Sequence, residues 1–333
     1  MKRKEFLQKG LATSALLGSS AWVSASNKPI QNEQGKKVPR GYDVDYKEVM
    51  IEKPVKGKPH KGKVLLAVQA HSDDIPLYAG GLVAKLMDEG YTGYLCSASD
   101  DARGVGEYAQ HRADNKKIAE FYGMKDSFEL LMPHHQMDSI GIQDLKQRFI
   151  FLIRFLKVDT IVSFDPWGHY EENPDHYITA RAVEAARWMA GSFDYPEHFA
   201  AGFPPHTPKE RYYYSRAKET DNLIVDISDY MDKKIAVNMV NTAKGPAGSN
   251  GVKLRERLAK EGKKLAILEG DDHTVNFNFI KTFVFPENKI LGEKYGFQWA
   301  EGYHYMNEIP FDNNVYDPNS PVEEYIRKNA TPK

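Results

Sequence analysis

Cysteine and net charge are nearly absent from this chain of 333 residues. Lys and Arg number 45 against 46 Asp and Glu, so the net charge of −1 gives no electrostatic reason to bind nucleic acid or an anionic membrane surface. Cys96 is the single cysteine, which excludes an intrachain disulfide and leaves stability to a buried core. Because Cys96 lies within an apolar run, we expect a buried thiol rather than a nucleophile. The composition, 41% apolar and 27% charged, is typical of a globular protein.

The N-terminal apolar segment is too short and too rich in Ser and Gly for a membrane-spanning helix. Residues 10–23 are small and apolar, follow the basic residues 2–4 and lead to Ala25, which is the layout of a cleaved signal peptide. We therefore predict a signal peptide over residues 1–25, an exported protein and no stable membrane span after cleavage. The start also resembles a twin-arginine export signal, with Lys4 in place of the second arginine. A short uncleaved N-terminal anchor is the alternative.

Strand and helix patterns alternate from Lys63 onward, after a segment rich in Lys, Gly and Pro. We interpret residues 26–60 as an arm or linker and residues 61–333 as a single domain. The alternation predicts an α/β fold with a mostly parallel sheet and helices on both faces, followed by a C-terminal extension that contains β-structure. A Gly-x-Gly-x-x-Gly turn is absent after the first strand, which argues against a nucleotide-binding protein.

The periodicity of apolar residues places the individual elements. Strands are predicted over residues 64–70, 92–98, 160–164, 212–215 and 223–226. Helices are predicted over residues 76–87, 109–122, 145–156, 174–189, 229–242 and 252–268. Ser228 is expected to cap the helix that begins at Asp229, and Asp272 and His273 to lie at the end of the last helix. The alternating aromatics Tyr295, Phe297, Trp299, Tyr303 and Tyr305 predict a half-buried strand.

Potential metal ligands follow two of the predicted strands. His71 and Asp74 come directly after the first strand, and His176 follows the strand over 160–164. Because ligands of open α/β sheets bind at the carboxyl ends of the strands, we expect these side chains to converge. Asn173 and Pro174 are typical of a helix start, which places His176 in a first turn where the helix dipole disfavours protonation. Two His and one Asp with an open position are typical of catalytic zinc, although Fe²⁺ or another divalent ion suits them too.

The segment His71-Ser72-Asp73-Asp74 resembles the His-Pro-Asp-Asp motif of the PIG-L / LmbE-like zinc N-deacetylases. The segment from Asp165 to His176 resembles the second motif of that family, and residues 300–303 resemble its closing motif. The resemblance implies a Rossmann-like fold and hydrolysis of an N-acetyl group, usually of N-acetylglucosamine in a conjugate. It also implies that His71, Asp74 and His176 hold zinc and that Asp73 is the general base, taking a proton from water and passing it to the leaving amine.

The second motif departs from the family at one catalytic position. Asn173 occupies the place of a family histidine that is thought to stabilise the oxyanion, and asparagine donates a neutral hydrogen bond without carrying positive charge. The loop is one residue longer than expected, which offers His169 for the same role. We predict that His169 or Asn173 supplies the oxyanion contact, and that Asp175 orients a nearby histidine.

Other polar and aromatic residues are candidates for substrate contacts. Trp167 and Tyr170 flank the second motif, and Arg103 and Arg112 lie at positions that match the family pattern. The pair His134-His135 is interpreted as part of a solvated loop rather than a second metal site, because no acidic cluster lies nearby in sequence. Asp138 is a further candidate for a residue that reaches the pocket.

The combined prediction is an exported zinc-dependent N-deacetylase that acts on an N-acetylated amino sugar or its conjugate, a small molecule or glycan. Two alternatives stay open. One is an amidase of the same fold that cleaves a different glycoconjugate amide. The other is a non-catalytic carbohydrate-binding protein that keeps the site, for which Asn173 is the best support.

Overall fold

The structure is a computed structural model that describes residues 49–102, 107–217, 219, 221–242, 249–307 and 321–332. The predicted signal peptide, most of the predicted arm and Arg103 lie outside the described residues. Within the described ranges, none of the helices combines the length and the apolar character that crossing a bilayer requires.

Eight strands within these ranges form one sheet. They are β1 (Met50–Glu52), β2 (Val64–Gln69), β3 (Thr92–Ser99), β4 (Asp126–Met132), β5 (Thr160–Phe164), β6 (Glu210–Tyr214), β7 (Leu223–Asp226) and β8 (Ala300–Met306). They lie in the order β1-β7-β8-β6-β5-β2-β3-β4. All neighbours are parallel except the two pairs that involve β8, which runs antiparallel to β6 and β7. The predicted mostly parallel sheet is confirmed, and the C-terminal β-structure is part of this same sheet.

Helices cover both faces of the sheet, as predicted. Those of the described ranges are α1 (Asp74–Tyr78), α2 (Gly80–Asp88), α3 (Glu107–Tyr122), α4 (Ile142–Leu156), α5 (Pro174–Ala190), α6 (Pro196–Ala200), α7 (Met231–Val240), α8 (Asn250–Lys260), α9 (Asp272–Phe279), α10 (Pro286–Lys294) and α11 (Pro321–Asn329). Alternate residues of β2 enter two separate cores because successive strand side chains point to opposite faces. Leu65 and Ala67 pack with α2, α3 and α7, whereas Leu66 and Val68 pack with α4 and α5.

The strand order creates a crevice where β2 and β5 end. From β2 the chain proceeds outward to β3 and β4, then returns to β5 on the other side of β2. β2 and β5 are in register, with Leu65 opposite Thr160. A change of direction of this kind is where open α/β sheets bind ligands. Both predicted motifs lie there, because one follows β2 and the other follows β5.

Two predictions about helix ends are wrong. The helix predicted to reach residue 268 ends at Lys260, because the chain turns at Gly262, whose φ of +69° suits glycine. Asp272 begins α9 instead of ending a helix, and the side chain of Asp271 caps that helix by accepting from the backbone N–H of Thr274 at 2.7 Å.

The expected cap at Ser228 is also wrong. A short 3₁₀ turn over Ser228–Tyr230 precedes α7, and the Ser228 hydroxyl donates to Asp226 at 2.6 Å rather than capping the helix. Of the alternating aromatics, Tyr303 and Tyr305 lie on β8, but those from Tyr295 to Trp299 precede the strand.

Two strands of the sheet were not predicted from the sequence. β4 contains Asp126, Ser127 and Glu129 and lies at one edge of the sheet, so its apolar pattern is interrupted. β1 has only three residues and pairs with β7 at the opposite edge, inside the segment interpreted as an arm. Cys96 is fully buried as expected, and burial raises the pKa of its thiol.

Candidate metal centre

Three buried side chains meet where β2 and β5 end. His71 follows β2, Asp74 is the first residue of α1, and His176 lies in the first turn of α5; they are 2%, 3% and 4% exposed. Nδ1 of His71 lies 3.0 Å from Nε2 of His176. Carboxylate oxygens of Asp74 lie 3.4 Å from Nε2 of His176 and 3.8 Å from Nδ1 of His71. The structure therefore brings together the three residues predicted to bind metal.

The spacing of these donor atoms fits a tetrahedral metal ion. Zinc binds imidazole nitrogen and carboxylate oxygen at about 2.0–2.2 Å, so two ligands of a tetrahedral site lie roughly 3.3–3.6 Å apart. The observed separations of 3.0, 3.4 and 3.8 Å are centred on that range. Three protein donors leave one position open, which is typical of catalytic rather than structural zinc.

In His71 and in His176, the ring nitrogen that faces away from the ligand cluster contacts a carboxylate. Nε2 of His71 lies 3.0 Å from Oδ2 of Asp175, and Nδ1 of His176 lies 3.2 Å from Oε1 of Glu171. In a neutral ring, each carboxylate favours the proton on the nitrogen that faces it. The lone pairs of the other two nitrogens then face each other and Asp74. This arrangement is unfavourable by itself and would be stabilised by a cation bound by these donors.

The supporting carboxylate of Asp175 is held in its charged form. Burial acts to raise the pKa of Asp175, but hydrogen bonds from His71 and from the backbone N–H groups of His135 and Met137 hold it below its usual value. The N–H of His135 donates at 2.7 Å. The contact with a histidine that we expected for Asp175 is present.

Glu171 is the second supporting carboxylate. Burial acts to raise its pKa, but contacts with His176, the backbone N–H of Asn173 and Arg216 hold it below its usual value. Burial acts to lower the pKa of His176, but Asp74 and Glu171 raise it on balance. The expectation that the helix terminus keeps His176 neutral is therefore opposed by these carboxylates, and a bound cation would take the place of the proton.

The two candidates for the oxyanion contact lie in different surroundings. Asn173 is the N-cap of α5, as predicted; its Oδ1 accepts from the N–H of Asp175 at 3.0 Å, and its Nδ2 lies 3.3 Å from Nε2 of His176. The side chain of His169 is 83% exposed and lies 3.6 Å from Glu219. Asn173 is thus at the ligand cluster, whereas His169 is on the surface beside Glu219.

Asp73 lies between buried neighbours and is itself only half-buried. It is the N-cap residue of α1 by position, but its side chain makes no capping hydrogen bond. A capping hydrogen bond therefore does not explain this acidic residue, although its charge complements the helix dipole.

The predicted substrate-contact residues that the structure describes are accessible and are not part of the buried cluster. Trp167 is 50% exposed and packs edge-on against Tyr213, and Tyr170 is 70% exposed. Arg112 lies on α3 with its side chain 70% exposed, 3.7 Å from Glu129. Substrate contacts at these positions stay predictions.

The interpretation of His134-His135 as a solvated loop is wrong for His134. This residue is 7% exposed, and its ring centroid lies 5.0 Å from that of His71. His135 is exposed, but its ring centroid lies 5.6 Å from His71. Both residues follow β4, the strand that was not predicted from the sequence, and their rings lie near the carboxyl end of β2. Asp138 is exposed on a 3₁₀ turn over Met137–Ser139.

Sequence reasoning also missed Asp101 and Glu171. Asp101 follows β3, is 2% exposed, and accepts a hydrogen bond of 2.7 Å from the N–H of Ser72 within the first motif. Glu171 precedes the N-cap of α5. Its position beside the helix that carries His176 was the one available signal.

Comparison with known proteins agrees with the resemblance predicted from the motifs. Residues 66–187 match the family described as PIG-L: GlcNAc-PI de-N-acetylase. This span runs from within β2 to near the end of α5 and contains all three predicted ligands. The predicted resemblance to PIG-L / LmbE-like deacetylases is confirmed.

Two relatives that match the chain are also named deacetylases. The chain is 26% identical over 182 residues to diacetylchitobiose deacetylase from Thermococcus kodakarensis, covering 52% of this chain and 67% of that protein. It is 24% identical over 241 residues to 1D-myo-inositol 2-acetamido-2-deoxy-alpha-D-glucopyranoside deacetylase from a Mycobacterium species, covering 56% and 76%. The structure of N,N'-diacetylchitobiose deacetylase from Pyrococcus horikoshii has the same fold, with a TM-score of 0.58 at 20% identity over 79% of this chain and 89% of that one.

Proposed function

We propose that this chain is a zinc-dependent N-deacetylase that removes the acetyl group from an N-acetylglucosamine-type sugar or conjugate. The observation that carries the proposal is the pair of buried histidines, His71 and His176, each supported by a carboxylate and converging on Asp74. Relatives whose names specify deacetylation of acetylated amino sugars support the amide-hydrolase reaction.

The residues around the cluster suit hydrolysis of an amide. A divalent cation, when bound, supplies a Lewis acid that polarises a carbonyl oxygen and makes water nucleophilic near neutral pH. Asp73 adjoins the ligand Asp74 at the start of α1, and in this role its carboxylate takes a proton from the attacking water. It then gives that proton to the nitrogen of the leaving amine as the carbon–nitrogen bond breaks. The products are acetate and a free amine.

Export of the protein is part of the proposal. It rests on the signal-peptide layout of residues 1–25. It places the substrate outside the cytoplasm, where glycan fragments are a suitable class. Sequencing the N-terminus of the mature protein checks this point, since an intact Met1 contradicts cleavage.

The decisive experiment measures both products from diacetylchitobiose and from N-acetylglucosamine conjugates. We expect acetate and free amine in equal amounts, loss of activity after metal removal, and recovery when Zn²⁺ is returned. Release of an amine without acetate would support the amidase alternative. Saturable sugar binding with no hydrolysis by the metal-loaded protein would support the carbohydrate-binding alternative.

Asn173 rather than His169 is expected to contribute to the oxyanion contact. Loss of one such donor costs about 10²–10³-fold in kcat. The kcat of Asn173→Ala should therefore fall by about this factor, and the kcat of His169→Ala should stay near wild type. Because Asn173 also caps α5, Asn173→Ser is the matched control that keeps a capping oxygen while removing the amide donor. If neither alanine variant changes kcat, the hypothesis for both residues fails.

A further inference from the structure

A second group of potential metal ligands lies on the other side of His71. His71, His134, His135 and Asp175 each offer one ligand atom, and these atoms all lie within 4.8 Å of one another. The proposed catalytic ion faces Nδ1 of His71, whereas Asp175 faces its Nε2. The two groups therefore share the His71 ring but lie at opposite nitrogens.

The loop that carries the two additional histidines is held in place. The rings of His134 and His135 stack with centroids 3.8 Å apart, and both meet His71 edge-on. The backbone N–H of His134 donates to Asp100 at 3.2 Å, and that of His135 donates to Asp175 at 2.7 Å. His135 has a φ of +55°, a left-handed conformation that few residues other than glycine adopt. Backbone of this kind persists only where surrounding contacts determine it.

We propose that His134, His135 and Asp175 form a second cation site, which binds a borderline divalent ion such as Zn²⁺. Two imidazoles and one carboxylate are the donor set that such ions prefer, and Mg²⁺ or Ca²⁺ would not select it. His134 and Asp175 are buried, whereas His135 is exposed, so an ion reaches the site from solvent on the side of His135. The donors lie within 4.8 Å of one another, so binding of an ion requires small side-chain movements to reach the roughly 3.3–3.6 Å of tetrahedral ligands.

Binding of an ion at the second site is expected to weaken metal binding at the first site. The Oδ2 atom of Asp175 that orients His71 is the one that also accepts from the His135 N–H, so an ion drawing on this carboxylate weakens its hold on His71. Loss of such a supporting contact costs about 10–100-fold in metal affinity or activity. The second ion is therefore an inhibitor that acts at high metal concentration. This consequence rests on the proposed deacetylase function, whereas occupation of the site does not.

Metal stoichiometry tests the site without reference to activity. Untagged, metal-free full-length chain is dialysed against Zn²⁺ buffers of rising free concentration, and bound zinc is measured by elemental analysis. We expect two equivalents for wild type, with the second weaker. His135→Asn should keep the first equivalent and bind the second at least about tenfold more weakly, because asparagine tolerates the left-handed backbone but is a poor zinc ligand.

Two further variants separate the sites. His176→Ala should lose the first equivalent and keep the second, and the double variant with His135→Asn should lose both. His273→Asn removes an exposed histidine elsewhere in the chain and should behave as wild type. Circular dichroism and thermal melting establish that each variant is folded. A single equivalent in wild type, or a second equivalent that His135→Asn leaves unchanged, overturns the proposal.

Activity provides the second readout. Wild-type deacetylation should rise with the first equivalent and fall as the second binds, whereas His135→Asn should rise without the later fall. An identical fall in both proteins overturns the inhibitory role. Two equivalents with the expected variant pattern but no hydrolysis at any zinc concentration would contradict the proposed function and leave the second site established.

Discussion

Replacing Asp73 by Asn is expected to lower kcat for deacetylation by about 10²–10⁴-fold, the contribution typical of a positioned general base. The amide has nearly the shape of the carboxylate but cannot accept and return a proton. Because asparagine is nearly isosteric with aspartate and Asp73 is only half-buried, the substitution should leave the fold in place. His71 and Asp74 keep their side chains, so the content of bound metal should also be unchanged.

The measurement combines steady-state kinetics with metal analysis of the same preparation. Asp144→Asn is the matched control, since Asp144 is an exposed aspartate in the first turn of α4 and is not a candidate for the site. It should retain wild-type kcat and metal content. A kcat for Asp73→Asn within a few-fold of wild type would contradict the assignment. Loss of metal in the same variant would instead move Asp73 into the ligand set.

The convergence of the predicted ligands was foreseeable from the sequence because of a property of parallel sheets. The carboxyl ends of parallel strands lie at one edge, so residues that follow two buried strands meet if the strands are neighbours. The apolar runs of β2 and β5 are continuous because both faces of these strands are covered by helices. The strand over 160–164 agrees residue for residue with β5. His71 and His176 were found in this way although 105 positions separate them.

The same reasoning failed where a strand was not recognised. Asp126 and Glu129 interrupt the apolar pattern of β4, so the carboxyl end of that strand was not identified as part of the site. His134 and His135 follow β4 and were consequently interpreted as a solvated loop. The contact of His135 with Asp175 joins residues 40 positions apart and depends on the packing of two loops. Local patterns carry no information about such packing.

Glu171 illustrates a different limit. Its carboxylate lies five positions before His176, close enough in sequence to be noticed, but an acidic residue near a helix start is ordinarily explained by the helix dipole. The contact of 3.2 Å with Nδ1 of His176 is what distinguishes it. The motifs therefore predict the three ligands and one supporting carboxylate, Asp175, whereas the support from Glu171 is revealed only by the structure.

Asp74→Asn is expected to abolish metal binding at the first site and, with it, deacetylation. The substitution removes the single negative charge from the set of ligands formed with His71 and His176, leaving three neutral donors. Loss of a supporting carboxylate costs about 10–100-fold in metal affinity, so loss of charge at a ligand should exceed 100-fold. The N–H of His71 donates to Oδ2 of Asp74 at 2.7 Å, and asparagine retains an acceptor oxygen for that bond.

Glu171→Gln is the graded comparison for this prediction. Glutamine keeps an oxygen near His176 but loses the charge, so metal affinity should fall within about 10–100-fold and activity should return at higher Zn²⁺ concentration. Equilibrium dialysis of both variants gives the affinities, and kinetics at saturating metal gives the rates. Equal losses in the two variants would contradict the distinction between ligand and support. Full metal affinity in Asp74→Asn would remove Asp74 from the ligand set, because a ligand that can lose its charge without consequence does not hold the ion.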